Sequence, residues 1–199
     1  MPNRKTLIDD LINALTCLPG VGKKTAQRMT YHLLQRAKDD ALNLSDVLKE
    51  VVTSTVNCKL CRNLSQENIC DLCSDDGRDN SMLCIVESPA DVFNMENSTN
   101  YNGKYFVLLG KLSPLDGIGP KEIGLDILED KISSGVVSEL ILAVNYTVES
   151  DVTAHVISEI ALKNSIKVTR LAQGVPVGGE LEYLDQYTLS KAFDKRTVY

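Results

Sequence analysis

Four of the six cysteines in this 199-residue chain lie within one stretch of sixteen residues, CKLCRNLSQENICDLC. They form two CxxC pairs, Cys58 with Cys61 and Cys70 with Cys73, and eight residues separate the pairs. A CxxC turn directs two thiolates toward one point, and a second such turn completes the tetrahedral ligand shell of Zn²⁺. We therefore predict one zinc ion per chain, held by four thiolates.

Two other functions of paired thiols fit this spacing less well. A thioredoxin-like redox site needs one CxxC pair at the start of a helix that follows a strand, which would leave the second pair unexplained. Disulfide bonds are also disfavoured, because they are rare in cytosolic proteins and the chain is predicted below to be cytosolic. Because all four ligand positions are cysteine, no coordination position is left for a catalytic water, and we predict a structural zinc. The remaining cysteines, Cys17 and Cys84, stand among apolar residues and are predicted to be buried in the core.

The start of the chain and its hydropathy predict a cytoplasmic protein. The segment MPNRKTLIDDLINAL is amphipathic and charged, and it lacks the apolar region of a secretory signal. No apolar run approaches the roughly 20 residues that a membrane span requires. The net charge is −6. Residues 1–40 carry seven basic side chains against four aspartates, so the basic residues concentrate at the N-terminal end and weakly indicate DNA contact there.

A glycine-containing turn between two helical patterns predicts a DNA-binding hairpin in that basic region. Apolar residues recur at helical spacing over residues 6–16, the chain turns at LPGVG, and a second helix is predicted to end at Ala37. Glycines in such a turn let backbone N–H groups approach a phosphate at the start of the second helix. Lys24 and Arg28 are four residues apart on one face of that helix, and we predict that both contact DNA.

Two alternatives apply to the same turn. A nucleotide-binding P-loop is excluded because Lys24 stands where Ser or Thr must follow Gly22-Lys23, and Cys17 stands where the first glycine belongs. An ordinary αα-hairpin with glycine caps remains open, since it produces the same pattern of helices and turn.

The second half of the chain alternates strand and helix patterns, which predicts a small parallel α/β sheet. The predicted strands are residues 82–87, 105–110, 139–145 and 166–171, and the predicted helices between them are SPADVFNMEN, a segment near 122–133, and residues 151–164. Function in such sheets gathers at the carboxyl ends of the strands. Glu87, Glu149 and Asp151 follow strand ends, so one expectation is that the three carboxylates converge at this edge of the sheet. The alternative is that Glu149 and Asp151 are only the acidic first residues of the next helix.

Several motifs, in this order along the chain, resemble the bacterial RecR family of recombination mediators. They are LPGVGKKTAQR, the two CxxC pairs, VESPADV, GKYFVLLGKLSPLDGIGPKEIGLD and GVPVGGELEYLD, and together they span nearly the whole chain. The resemblance implies an α+β multidomain fold: a helix–hairpin–helix domain at 1–54, a zinc finger at 55–77, a Toprim domain at 80–173 and a C-terminal assembly segment at 174–199.

The resemblance also implies a function and a set of partners. Members of the family form ring-like homo-oligomers that clamp DNA, and with RecO, in some pathways also RecF, they help load RecA onto gapped DNA coated by single-strand-binding protein. The resemblance therefore implies a DNA repair protein that is cytoplasmic and associated with the nucleoid. Lys24 and Arg28 match the family's DNA contacts, the four paired cysteines match its zinc ligands, and Glu87, Glu149 and Asp151 fall at the acidic Toprim site, where the family links Glu149 to RecO.

The chain departs from catalytic Toprim proteins and from the family itself at one loop. Catalytic relatives carry DxD, whereas this chain has Asn145 and Thr147 at the two aspartate positions, so we expect no magnesium-dependent nuclease or primase activity. RecR proteins usually read Asn-Pro-Thr-Val-Glu-Gly here. Tyr146 replaces the rigid proline and Ser150 replaces the permissive glycine, so a changed turn geometry is expected.

Overall fold

The computed structural model describes residues 6–196, and the chain folds as two compact units, one that ends at Thr55 and one that begins at Val56. The first unit contains three helices: α1 (Leu7–Leu15), α2 (Lys23–Arg36) and α3 (Lys38–Ser54). The second unit contains β1 (Val56–Asn57), β2 (Leu64–Ser65), α4 (Asp71–Ser74), β3 (Asp79–Val86), α5 (Pro89–Ser98), β4 (Gly103–Val107), α6 (Leu125–Ser133), β5 (Glu139–Ala143), α7 (Val148–Lys163), β6 (Lys167–Arg170) and α8 (Gln186–Asp194).

The first unit has the predicted form of helix, hairpin and helix. Thr6 caps α1 in a reciprocal arrangement with Asp9, whose carboxylate accepts from the Thr6 backbone N–H at 2.9 Å. Gly20 has φ +77°, a left-handed conformation that favours glycine and that turns the chain back. The inner face of α2 buries Ala26 and Thr30. The third helix, α3, follows α2 after the single residue Ala37, and the sequence analysis did not predict it.

Cys17 corrects one expectation from the sequence. It lies in the turn that follows α1, and its side chain is exposed rather than buried. Its neighbour Leu18 is also exposed, so the apolar character of ALTCLPG does not mark a buried segment. Cys84, in contrast, is fully buried on β3, as predicted.

The core of the second unit is a four-stranded sheet in the order β4-β3-β5-β6, with every neighbouring pair parallel. Successive residues of β3 face opposite sides of this sheet. Leu83 and Ile85 pack into the larger apolar cluster on one side, and Cys84 and Val86 pack into a smaller cluster on the other. Burial on both faces explains the nearly continuous apolar strands and confirms the predicted parallel α/β sheet.

Strand and helix ends differ from the sequence prediction at positions where local geometry decides them. Leu109 has φ +59°, and β4 ends before it, whereas a strand through residue 110 was predicted. The side chain of Thr147 accepts from the Ser150 N–H, which starts α7 at Val148 instead of residue 151.

The last segment of the chain leaves the sheet after β6 and is mostly exposed. Its large apolar side chains include Val177, Leu181, Tyr183 and Phe193, all more than half exposed. Asp185 caps the short helix α8 by accepting from the Thr188 N–H at 2.9 Å. Within residues 6–196, no helix combines the length and the apolar character that crossing a membrane requires.

Candidate functional site

The four paired cysteines come together in a cluster that could hold a metal ion. The sulfur atoms of Cys58, Cys61, Cys70 and Cys73 all lie within 4.8 Å of one another, and the first three side chains are buried. Four sulfurs around a zinc ion at about 2.3 Å stand about 3.8 Å apart, so the cluster already has nearly the size that zinc requires. The Cys61 and Cys70 sulfurs are 3.5 Å apart.

Protonation of these thiols depends on their crowding. A hydrogen bond from Cys61 and contacts with the other thiols lower the pKa of Cys73 to about 6. Burial raises the pKa of Cys70 to about 11, and the hydrogen bond to Cys73, followed by burial, raises the pKa of Cys61 strongly. Several thiolates cannot coexist in this space without a cation, and a divalent metal would supply one. The donor set therefore fits Zn²⁺.

The cysteine-containing segment, residues 56–75, also covers one edge of the sheet. The edge strand is β4, and its Val107 N–H donates to the Cys61 carbonyl at 2.8 Å. Arg62 reaches across to the carbonyl oxygens of Leu108 and Glu122, at 3.0 and 2.8 Å. Open strand edges favour pairing with other chains, and natural proteins usually protect them. The segment that contains the four cysteines therefore protects the β4 edge of the sheet.

A buried lysine fastens this segment to β4. Lys104 is 6% exposed, and its ammonium donates to the carbonyls of Leu72, Cys73 and Asp75 at 3.0, 3.1 and 2.7 Å. Leu72 and Cys73 belong to the single turn of α4 and Asp75 follows it, so the ammonium donates to the free carbonyls at the end of this turn, where a cation is favoured. No pattern in the sequence distinguished Lys104 from the other lysines.

Lys104→Met should lower the free energy of unfolding by about 2–4 kcal/mol, because three partly buried carbonyls would lose a charged donor. Chemical denaturation followed by circular dichroism measures this change. Lys121→Met, which removes an exposed lysine of the same unit, is the matched control and should change stability by less than about 0.5 kcal/mol. Equal effects of the two substitutions would show that the Lys104 contacts contribute nothing.

Glu87 follows β3 at the carboxyl edge of the sheet, and donors of its own chain occupy its carboxylate. The backbone N–H of Asn145 and the hydroxyl of Ser150 donate to Oε1 at 3.0 and 2.6 Å. The Asn145 side-chain amide donates to Oε2 at 2.6 Å. Both oxygens of Glu87 therefore hold the loop between β5 and α7.

Glu149 and Asp151 have different partners from Glu87. Both lie in the first turn of α7, as the helix-start alternative predicted. Glu149 pairs with Lys111 at 3.2 Å, and Asp151 pairs with Arg170 at 2.8 Å. The Glu149 backbone N–H and then the Lys111 ammonium lower the pKa of the Glu149 carboxyl. Among residues 6–196, the four thiols are the only group of three or more acidic, Cys or His ligands placed to hold a metal.

The two positions that depart from the family pattern are integrated into this loop. The Tyr146 hydroxyl donates to the Leu171 carbonyl, and the Arg170 guanidinium lies 4.0 Å from the centre of the Tyr146 ring. Arg170 also donates to the Asn145 carbonyl at 3.0 Å. Ser150 is fully buried and supplies the hydroxyl that contacts Glu87. Tyr146 and Ser150 thus add contacts at the places where proline and glycine would have none.

The predicted DNA contacts lie on α2 in the first unit, close to the hairpin. Lys24 and Arg28 are exposed, and within the described part of the chain neither forms an ion pair. Gly22 occupies the position before α2 and provides no side-chain cap, so no side chain competes with an anion at the start of that helix. Two unpaired cations beside an uncapped helix start form an arrangement suited to phosphate.

Comparison with known proteins shows the family. The family model for the RecR helix-hairpin-helix matches residues 8–52, that for the Toprim domain matches residues 81–172, and that for the RecR C-terminal region matches residues 174–197. The chain is 55% identical over 189 residues to the Recombination protein RecR of Methylococcus capsulatus, covering 95% of this chain and 96% of the relative. The chain belongs to the RecR family. RecR of Saccharophagus degradans is 53% identical over 190 residues, with 96% of each chain covered.

RecR membership confirms the fold expected from the sequence. The chain has a helix–hairpin–helix unit, a four-cysteine cluster, a Toprim domain with a parallel sheet, and a RecR C-terminal region. Sequence reasoning missed Lys104, Lys111 and Arg170. Lys104 holds the cysteine segment, and the other two contact the polar edge, which is the carboxyl end of the sheet around Glu87, the loop 145–147 and the first turn of α7. A basic residue at the end of a strand, as Arg170 is, was the available signal.

Proposed function

We propose that the chain is a non-enzymatic protein of recombinational DNA repair. As a homo-oligomer it clamps DNA, and together with RecO, and in some pathways RecF, it helps load RecA onto gapped single-stranded DNA covered by single-strand-binding protein. The observation that carries this proposal is the similarity to proteins named Recombination protein RecR over about 95% of the chain. The proposal includes a cytoplasmic, nucleoid-associated location, and domain boundaries at 1–54, 55–77, 80–173 and 174–199.

The proposed DNA contact is sequence-independent. Lys24 and Arg28 are exposed cations next to the hairpin that form no ion pair within residues 6–196, and contacts of this kind go to the phosphate backbone rather than to base edges. Two such contacts on a chain of net charge −6 support only weak binding. Several subunits around one DNA would add their contacts through effective concentration. The exposed apolar segment from Gly174 onward is our proposed contact between subunits.

The proposed role of the cysteine cluster is structural zinc binding. Cys58, Cys61, Cys70 and Cys73 would each supply one thiolate to a single Zn²⁺. Zinc held by four thiolates has no open position, so it would order residues 56–75 without reacting with a substrate.

The absence of enzymatic activity is supported by the chemistry of the polar edge. Magnesium needs oxygen ligands of near-ideal octahedral geometry and usually one or two carboxylates. Asn145 and Thr147 stand at the two aspartate positions, and the Glu87 carboxylate is occupied by its own loop. This combination argues against a magnesium-dependent nuclease or primase, which is the competing function for a Toprim domain.

The proposed contact with RecO lies at the acidic side of this edge. The Glu149 side chain is about half exposed, and its single ion pair with Lys111 lies in solvent, where such pairs are weak. A basic partner surface could therefore replace Lys111 at little cost. Glu87 and Asp151 are proposed to contribute to RecO binding indirectly, because their contacts hold the first turn of α7 in place.

Glu149→Ala should weaken RecO binding about tenfold, because a charge at the contact is lost while the loop around Glu87 remains. DNA binding by the purified chain alone should be unchanged, since that contact belongs to the other unit. Isothermal titration with RecO and anisotropy with labelled DNA measure the two effects. RecA loading on gapped DNA coated by single-strand-binding protein should fall in parallel.

Glu159→Ala provides the matched control for this experiment. Glu159 is an exposed acid on the same helix, paired with His155 at 3.6 Å. Its removal changes the net charge equally and should leave RecO binding within about twofold of the wild type. If both substitutions weakened RecO binding to the same extent, the acidic contact would be a general charge effect and not a site at Glu149.

A further inference from the structure

The outer face of α2 contains a shallow concavity that the proposed phosphate contacts do not use fully. It is open to solvent, its volume is about 580 Å³, and all of its lining residues belong to α2. Arg28 lies at this concavity, together with Tyr31, His32 and Arg36. The opposite face of α2 carries Ala26 and Thr30, which are buried within the unit.

Two of the residues that line the concavity, Arg28 and Arg36, are cations. Arg28, His32 and Arg36 are spaced by four residues, so each follows the previous one by about 6 Å along the helix with a rotation of about 40°. Arg28 and Arg36 form no ion pair within residues 6–196, although Asp39 and Asp40 follow in the first turn of α3. Together with Lys24 near the start of α2, the two arginines carry positive charge from the first turn of the helix to its last residue.

An exposed aromatic side chain lies among these cations. Tyr31 is 43% exposed, and within the described residues its hydroxyl makes no hydrogen bond. Aromatic side chains beside cations are the usual means of holding unpaired bases, which stack on the ring while their phosphates contact the cations. A paired base in a duplex has both faces covered by its neighbours and cannot reach such a ring. An exposed ring beside cations therefore suits an unpaired base better than a paired one.

We infer that the outer face of α2 binds single-stranded nucleic acid, with a base stacked on Tyr31 and neighbouring phosphates held by Arg28 and Arg36. This inference rests on the proposed function and goes further, because it assigns part of that surface to unpaired nucleotides. Arg28 serves both contacts. Tyr31 and Arg36 belong only to the single-strand site.

Tyr31→Trp provides a direct test in the full-length protein, because the chain contains no tryptophan of its own. Titration with an oligothymidylate should quench the tryptophan emission in a saturable way. A duplex of equal length should produce less than a fifth of that quenching at the same occupancy. Occupancy is measured separately by anisotropy of a labelled strand. Equal quenching by both ligands, or none by the oligothymidylate, would overturn the inference.

Tyr31→Ala tests the energetic contribution of stacking. It should weaken oligothymidylate binding about tenfold, because one base–aromatic stack is lost. Tyr31→Phe should restore the affinity, since it keeps the ring. Duplex binding should remain within about twofold of the wild type in both variants. Arg36→Gln should lower the salt dependence of single-strand binding by about 0.7 in slope, whereas Lys49→Gln, an exposed position on α3, should leave it unchanged.

Two results would separate failure of this inference from failure of the proposed function. If replacing Lys24 and Arg28 abolishes duplex binding while Tyr31→Ala retains full single-strand affinity, the stacking site is wrong and the clamp stands. If Tyr31→Ala instead changes the oligomeric state in light scattering without changing single-strand affinity, the face is a contact between copies of the chain, which also overturns the inference. If neither set of substitutions weakens binding of any DNA, the proposed DNA contact at the hairpin fails as well.

Discussion

Removal of zinc from the purified protein should lower its midpoint of thermal unfolding by about 10 °C or more. Structural zinc contributes directly to folding energy, and for a domain of this size about 4 kcal/mol corresponds to that shift. The loss should be cooperative with the sheet, because the cysteine segment covers the edge strand β4 through Val107, Lys104 and Arg62. An exposed edge should also raise the tendency of the metal-free protein to aggregate.

The physical reason lies in the four crowded thiols. With zinc bound, four sulfurs share one divalent cation, whereas without it the buried Cys61 and Cys70 must retain their protons and lose those bonds. Residues 56–75 contain few apolar side chains that could hold the same conformation, and Leu60, Leu64 and Ile69 are exposed. In the proposed zinc-bound state, metal coordination would therefore take the place of an apolar core in residues 56–75.

Elemental analysis and calorimetry check this expectation. One zinc per chain should be present in carefully prepared protein, and less than half an equivalent would contradict it. Cys58→Ser should reproduce most of the loss of stability, whereas Cys17→Ser, which replaces the exposed cysteine outside the cluster, should have little effect. DNA binding by Cys58→Ser at low temperature should remain, because Lys24 and Arg28 belong to the other unit.

The sequence predicted those parts of the fold that depend on local pattern. CxxC spacing brought four thiols together correctly, because each turn is set by its own few residues. Apolar runs at MLCIVE and ELILAVN predicted the buried strands β3 and β5 for the same reason. The predicted burial of Cys17 was wrong, because burial depends on what packs against a segment. Within residues 6–55, nothing covers the turn that contains Cys17.

The polar edge could not be predicted in detail, because its contacts join residues far apart in sequence. Glu87 and Ser150 are separated by 63 positions, and Lys111 and Glu149 by 38. The sequence left two arrangements of the carboxylates open, and the cap at Thr147 favoured the helix start. Tyr146 illustrates the same limit, since the loss of a rigid proline was evident while the compensating ring contact with Arg170 was not.

The double substitution Lys24→Ala and Arg28→Ala should weaken binding of gapped or duplex DNA about 100-fold at moderate salt, with the oligomer intact. Each lost phosphate contact contributes roughly a factor of ten under such conditions. Both side chains are exposed and make no ion pair within the described residues, so their removal leaves no buried group unsatisfied. Thermal unfolding should therefore be unchanged within about 1 °C.

Lys38→Ala with Lys49→Ala is the matched control, because it removes two exposed lysines from α3 of the same unit. It changes the net charge by a similar amount but does not touch the hairpin. Anisotropy with labelled DNA should give an affinity within about threefold of the wild type for this control. Equal losses in the two double variants would indicate general charge attraction and no phosphate site at the hairpin.

The salt dependence of DNA binding, compared between the wild type and the Lys24→Ala, Arg28→Ala double variant, measures how many subunits contact the DNA. The logarithm of the binding constant falls with the logarithm of salt concentration by about 0.9 per neutralised phosphate of duplex DNA. A single engaged subunit would therefore lose about 1.8 in slope when Lys24 and Arg28 are removed, and two engaged subunits would lose about 3.6. A loss near 1.8 from an oligomer would show that one subunit alone contacts the DNA, which contradicts the clamp. A loss of slope that is a larger multiple of about 1.8 gives the number of subunits around the duplex, since each subunit contributes the same two cations.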